Sequence, residues 1–216
     1  MTSIMDFIHA GDLIFDVGAN NGNKTNLFLE KNTRVICIEP QPNCILELHR
    51  KYYLNDSVVI INKGLADKNG TLELSVCTDC HVISTFSDEW KTGRFAGYNW
   101  PEKIYVDVVT LDHIISFHGI PKYCKIDVEG FEYQVLKGLS VGIPYISFEF
   151  TIEFLSNAKK CIKYLYNIGY RYFNYTKAED PEFVFEEWVS EGNLFDLIIK
   201  DSDTDTWGDI YAALEA

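Results

Sequence analysis

The segment Leu13-Ile14-Phe15-Asp16-Val17-Gly18-Ala19-Asn20-Asn21-Gly22-Asn23-Lys24-Thr25 constrains the fold of this chain more than any other. An apolar run ends in an acid and breaks into glycine and asparagine before a stretch of helical pattern. A buried parallel strand turns into a helix in this way at the rim of an α/β sheet. Gly18 and Gly22 admit backbone angles closed to residues with a Cβ, and Asn20 or Asn21 tolerates a left-handed turn, so the loop lets a ligand approach the main chain. Arg34-Val35-Ile36-Cys37-Ile38-Glu39-Pro40 then reads as a second strand. It ends in a carboxylate about twenty residues beyond Gly18, where an acid can accept hydrogen bonds from both hydroxyls of a ribose. Strand, glycine turn, helix and strand-end acid together mark an adenosine site, against the competing reading of a Gly/Asn loop that merely joins strand to helix.

Spacing and charge narrow the ligand. Dinucleotide enzymes favour G-x-G-x-x-G with a helix N-terminus aimed at a pyrophosphate. Here the pattern is Gly18-x-x-x-Gly22, with Asp16 just before the turn. An acid there repels a pyrophosphate but can accept from a cationic amino group such as that of S-adenosylmethionine. A methyl donor is therefore favoured over a nicotinamide.

At 216 residues, 47% of them hydrophobic, the chain can bury one substantial core and is short for two, so residues 1–216 are expected to form a single α/β domain. The formal charge of -13 repels phosphate backbones. A small-molecule or carbohydrate substrate is expected, with no nucleic acid. The start of the chain lacks a basic and then apolar leader, and no apolar run reaches the length of a membrane span. A cytoplasmic protein with no membrane partner is expected. The six cysteines, at 37, 44, 77, 80, 124 and 161, include two inside strand patterns, where a free thiol is a small buried hydrophobe.

Along the chain, residues 1–12 read as a cap before the first strand. A helix over residues 22–31 is expected to turn Leu27 and Phe28 to the sheet and to leave Thr25 and Asn26 near its exposed start. Residues 41–54 repeat apolar side chains at Ile45, Leu48 and Tyr52, a second helix. Val58-Val59-Ile60-Ile61-Asn62 predicts a third buried strand. At its exit, Leu65, Ala66 and Asp67 can cover an adenine and reach its amino edge, or Asp67 belongs to the turn Asp67-Lys68-Asn69-Gly70. Residues 71–76 and 104–110 read as an inserted antiparallel hairpin. The irregular, aromatic stretch 77–103 between them is expected to be the substrate loop.

Thr110 or Asp112 caps a short helix. Residues 123–130 read as a strand that ends in two acids and a glycine, Asp127-Val128-Glu129-Gly130, and 131–139 as a helix with Val135 and Leu136 inward. Residues 145–150 form the next strand, ending in Glu149-Phe150, and a helix follows over 152–167. Residues 170–175 and 194–199 read as two antiparallel edge strands, and the tail, 201–216, ends in a short helix from Trp207.

This order of strands and helices is that of the class I methyltransferase fold: α/β, Rossmann-like, a seven-stranded mostly parallel sheet with an antiparallel last strand, here with an inserted β-hairpin and loop. Within it the chain resembles the FkbM family. The resemblance is carried by Asp16-Val17-Gly18-Ala19-Asn20-Asn21-Gly22, Glu39-Pro40, Thr110-Leu111-Asp112, and above all Lys125-Ile126-Asp127-Val128-Glu129-Gly130-Phe131-Glu132 with Val135-Leu136-Lys137-Gly138. It covers about residues 12–150 and implies methyl transfer from S-adenosylmethionine, typically to a hydroxyl of a sugar or other small molecule. By position it implies Asp16, Gly18, Ala19, Asn20 and Gly22 at the methionine end of the donor. Glu39, with Pro40, would stand at its ribose, Leu65-Ala66-Asp67 at its adenine, and Asp127 and Glu129 at the reaction centre.

Asp127 and Glu129 are the candidate general bases, since both leave a central strand at the ligand rim and paired acids raise one another's pKa. The alternative is that one of them caps the helix starting at Phe131. His81 is a third candidate base or substrate contact, against a plain surface histidine. It follows Cys77-Thr78-Asp79-Cys80, half of a zinc pattern with no second pair at suitable spacing, so no metal is expected. RNA ribose 2'-O-methylation, using a lysine beside Asp127 and Glu149, and a non-catalytic domain that binds S-adenosylmethionine are the competing functions.

Overall fold

The structure, a computed structural model, describes residues 2–215, so Met1 and Ala216, at the ends of the expected cap and tail, lie outside the described residues. The first half comprises β1 (Leu13–Val17), α1 (Asn23–Leu29), β2 (Arg34–Ile38), α2 (Pro42–Tyr52) and β3 (Val58–Ile61). An insertion follows, made of β4 (Gly64–Leu65), β5 (Gly70–Val76) and β6 (Glu102–Val109). The second half comprises α3 (Leu111–His118), β7 (Tyr123–Ile126), α4 (Glu132–Lys137), β8 (Tyr145–Thr151), α5 (Leu155–Asn167), β9 (Tyr172–Tyr175), α6 (Glu191–Asp201) and β10 (Trp207–Ala213).

Seven strands form one sheet in the order β3-β2-β1-β7-β8-β10-β9, in which β10, the last strand, runs antiparallel to both its neighbours. The insertion is a separate three-stranded sheet, β4-β6-β5, with the expected hairpin as its antiparallel pair. Apolar side chains alternate between the two faces of the large sheet. One face packs Phe15, Ile38, Ile126 and Phe148 against α3, α4 and α5. The other packs Ile14, Cys37 and Tyr123 against Phe28 of α1 and Leu48 of α2. No helix among the described residues is long and apolar enough to cross a membrane.

Register places the site. Val17 pairs with Ile38 on one side and Ile126 on the other, and Ile126 pairs with Phe148. The residues one step further, Gly18, Glu39, Asp127 and Glu149, therefore emerge side by side at the carboxyl rim. Connections leave in opposite directions from β1 and β7, and open α/β sheets hold ligands at such a switch point.

Four expectations are corrected. Residues 194–199 are the body of α6, not a strand: Leu194 and Ile198, four apart, turn inward while Ile199 faces solvent, and so short an apolar run has no decisive period of its own. The segment from Trp207 is β10, not a helix. An interior strand buried on both faces loses its alternation, so Ile210-Tyr211-Ala212-Ala213 shows no strand period in the sequence. In α1, Phe28 packs inward as expected, but Leu27 is 46% exposed and Thr25 is fully buried. Asp16 draws the Thr25 hydroxyl inward with a 2.5 Å hydrogen bond, a partner that helical periodicity cannot reveal. In addition, β3 is an edge strand and only partly buried.

Candidate active site

A cleft of about 740 Å³ opens at the switch point, between the β1–α1 loop, the ends of β2, β7 and β8, and the insertion. Asp16, Gly18, Ala19, Asn20, Glu39 and Pro40 line it. Gly18 (φ +77°), Asn20 (φ +49°) and Gly22 (φ +79°) all take left-handed backbone angles, as the Gly/Asn composition predicts. The two glycines, however, are required by neighbouring protein. A Cβ on Gly18 would collide with the Asp127 carbonyl, and one on Gly22 would stand 2.7 Å from the Tyr52 hydroxyl. Gly22 lies behind the cleft, where Tyr52 donates to its carbonyl at 2.8 Å.

Glu39 is buried, and its carboxylate fixes the glycine loop: Oε2 accepts from the Asn20 N–H at 2.9 Å and Oε1 from the Gln41 N–H at 2.8 Å. A carboxylate accepts about four hydrogen bonds, so these two backbone donors do not exhaust it. Burial pushes its pKa up to about 7, and the two backbone donors only partly offset this.

Beside it lies a buried charge system. Lys125 points to the α1 face and donates to Asp127 Oδ2 at 2.6 Å. Burial works against its charge, but the carboxylates of Asp127, Asp209 and Asp16 outweigh it and hold its ammonium above the ordinary lysine value. Burial likewise raises the Asp16 carboxyl, against the pull of Lys125 and Thr25. Asp127, Glu129 and Glu149 each present a carboxylate oxygen within 4.8 Å of the others. Burial, then the charge of Asp127, raises Glu129 well above the carboxylate range, and burial, then Glu129, does the same to Glu149.

Glu129 (φ +56°) and Gly130 (φ +86°) both take left-handed angles, which turns the chain sharply after β7. Neither Glu129 nor Asp127 caps α4. Glu132 does related work instead, its Oε1 accepting from the Gly130 N–H at 3.0 Å and the Val128 N–H at 3.3 Å, and its Oε2 from Asn157 at 2.9 Å. Among the described residues, four buried polar atoms on the cleft wall have no partner: Trp90 Nε1, Asp127 Oδ1, Glu149 Oε2 and Thr151 Oγ1. Buried polar groups are otherwise satisfied almost everywhere in proteins, so such a concentration marks where a ligand binds.

The stretch 77–103 closes one side of the cleft with Val82, Phe86, Trp90 and Phe95. Trp90 is buried between Phe95 and Phe154, with ring centroids 4.8 and 5.1 Å away, so part of the expected substrate loop is core. His81 is exposed and outside this cleft, its Nε2 3.2 Å from Asn20 Oδ1, so as a base it would act only from the rim of the glycine loop. Of Leu65, Ala66 and Asp67, only Leu65 lines the cleft. Asp67 pairs instead with Lys137 at 2.9 Å. Thr25, Glu149 and Thr151 carried little weight in the sequence. An acid and a threonine two apart at a strand's carboxyl end was the available signal for the last two, because alternation puts them on one face.

Sheet order, antiparallel last strand and a cleft bounded by the glycine turn and the β2 acid define a class I methyltransferase, with S-adenosylmethionine as cofactor. The precorrin-6y C5,15-methyltransferase of Geobacter metallireducens superposes with a TM-score of 0.52 at 10% identity over 98% of this chain and 85% of that one. The fibrillarin pre-rRNA processing protein of Methanococcus jannaschii gives 0.52 at 11%, over 97% and 69%. A putative rRNA methylase from Clostridium thermocellum gives 0.51 at 14%, over 98% and 92%. At these identities the likeness is one of fold. The chain itself belongs to the FkbM methyltransferase domain family, whose model matches residues 16–172. No curated protein sequence matches it significantly.

Proposed function

We propose that this methyltransferase acts on a hydroxyl of a sugar or other small molecule. The observation that carries this reading is the set of carboxylates, Asp127, Glu129 and Glu149, gathered where the cleft is lined by the aromatic residues Phe86, Trp90 and Phe95 of the insertion. A hydroxyl is a weak nucleophile until it loses its proton, and a carboxylate held within reach of the acceptor oxygen can receive it.

S-adenosylmethionine, when bound, supplies a methyl group on a positively charged sulfur that an acceptor oxygen can displace. Glu39 would hold the ribose hydroxyls, with Pro40 alongside. Asp16, Ala19, Asn20 and the main chain at Gly18 would hold the methionine end, and Leu65 would cover the adenine; Gly22, Ala66 and Asp67 do not line the cleft. Asp127 or Glu129 would take the acceptor's proton as its oxygen bonds to carbon, a contribution of roughly 10²- to 10⁴-fold. Phe86, Trp90 and Phe95 would exclude water and position the acceptor, which is most of the enzyme's task in an in-line displacement.

RNA ribose is the second reading. Lys125, 2.6 Å from Asp127, favours it. Against it stands the net charge of -13. Calorimetric titration of wild type and Glu39→Ala with S-adenosylmethionine and NAD tests the donor site, followed by methyl transfer to a panel of sugars, phenols and short RNAs. Sugar or phenol methylation is the expected result, and RNA methylation alone would sink the small-molecule reading.

A further inference from the structure

We propose that Asp127, Glu129 and Glu149 form a binding site for a hard divalent cation, of the magnesium or manganese class, at the acceptor end of the cleft. It rests on the reading above only in taking the acceptor group to be a hydroxyl. One carboxylate oxygen from each residue lies within 4.8 Å of the other two. Oxygen ligands at 2.0–2.6 Å from one ion stand roughly 3 to 5 Å apart, so a single ion fits among the three.

The hydrogen-bond accounting points the same way. Lys125 satisfies Asp127 Oδ2 and leaves Oδ1 buried and unpaired, and Glu149 Oε2 is also buried without a partner. Three carboxyl groups face one ammonium in a poorly hydrated place, so all three can be ionised together only when a further cation stands among them.

Thr151 is an independent sign. It is 3% exposed, it follows Glu149 by two on the same face of β8, and it lines the same cleft, yet its hydroxyl has no partner. A neutral hydroxyl is not kept apart from partners by charge repulsion. The Thr151 hydroxyl is left able to bond a water on the ion or an oxygen of the acceptor.

An all-oxygen donor set selects hard cations over zinc or copper. The three acids would occupy one side of the ion, leaving positions for water and for the acceptor hydroxyl, whose proton the ion makes easier to remove. Spacing along the chain does not announce the site, because its ligands come from two strand ends joined only by sheet register.

The test uses the whole chain, treated with a chelator and then titrated with Mn²⁺ under electron paramagnetic resonance, with S-adenosylhomocysteine binding measured in parallel. A single ion that Mg²⁺ displaces is expected. Glu149→Gln should weaken its binding by roughly tenfold or more while leaving S-adenosylhomocysteine affinity unchanged. Glu129→Gln serves the same purpose should Glu149→Gln fail to fold. Protein that binds S-adenosylhomocysteine but no Mn²⁺, or Mn²⁺ binding indifferent to both substitutions, overturns the proposal. Mn²⁺ held in a Glu149-dependent way by protein that ignores S-adenosylhomocysteine would instead remove the methyltransferase reading and leave the cation site standing.

Discussion

A methyl group on Gly18 would stand 1.8 Å from the carbonyl oxygen of Asp127, so the β1 turn and the β7 exit can be neighbours only because residue 18 has no side chain. The obstacle is backbone, which cannot rotate away as a side chain can. Gly18→Ala should therefore force the two strand ends apart and destabilise the protein by about 3 kcal/mol or more, with loss of donor binding. Gly11→Ala is the control. It shares a left-handed angle (φ +87°) but nothing lies within 4 Å, so backbone strain of about 1 kcal/mol is all it should cost. Urea unfolding of both variants checks the difference, and equal losses would show that the contact with Asp127 is unimportant.

Glu39, as the proposed ribose ligand, should give donor binding a pH dependence. Its carboxyl titrates at about 7 in the free protein because burial disfavours the charge. A carboxylate that accepts from ribose hydroxyls must be ionised, so each pH unit below 7 should weaken S-adenosylhomocysteine binding by up to about tenfold. Affinity should level off above pH 7. Glu39→Gln should bind more weakly and lose this dependence, which calorimetry from pH 5.5 to 8 can follow. A wild-type affinity flat across that range would place the ribose elsewhere.

The elements that line the cleft were legible because their signals are local. The run 13–25, the acid at the end of β2 and the Asp127–Gly130 exit each lie within a few residues, where periodicity and glycine chemistry speak directly. What stayed hidden depends on partners distant in sequence. Thr25 is buried because Asp16 waits for it, Asp67 is drawn off by Lys137 seventy residues away, and Glu149 meets Glu129 only through the pairing of Ile126 with Phe148. α6 and β10 were exchanged for a related reason: 194–199 is too short to display a period, and Ile210–Ala213 is covered on both faces.

Glu132 predicts a stability slope. Its carboxyl is buried and titrates at about 7 when folded, against 4.5 for the free side chain. Between those values the folded chain holds a proton that the unfolded chain has lost, so stability falls as pH rises through the window, by about 3 kcal/mol in all. The contribution is complete below about 4.5 and gone above 7. Glu132→Gln carries no such charge, so its stability relative to wild type should improve between pH 5 and 8. Urea unfolding at the two values measures this, and a constant difference between the proteins would mean that Glu132 is ionised throughout.

Lys125 is the counterpart to these acids, buried and 2.6 Å from Asp127, with Asp16 and Asp209 also in its field. Removing a buried partner leaves uncompensated charge, which typically costs about 3–5 kcal/mol. Lys125→Met, which keeps most of the side-chain volume, should show a loss of that size at pH 8. The lysine's own contribution is constant over the working range, because its folded pKa is raised and it stays charged below its unfolded value of 10.5. The acids supply the pH dependence: as they take up protons on acidification, the repulsion left by the substitution fades. The gap between wild type and Lys125→Met should accordingly narrow between pH 8 and pH 5, as read by unfolding midpoints. A gap that stayed constant on acidification would show that packing around the lysine stem, not its charge, holds this face of the sheet to α1.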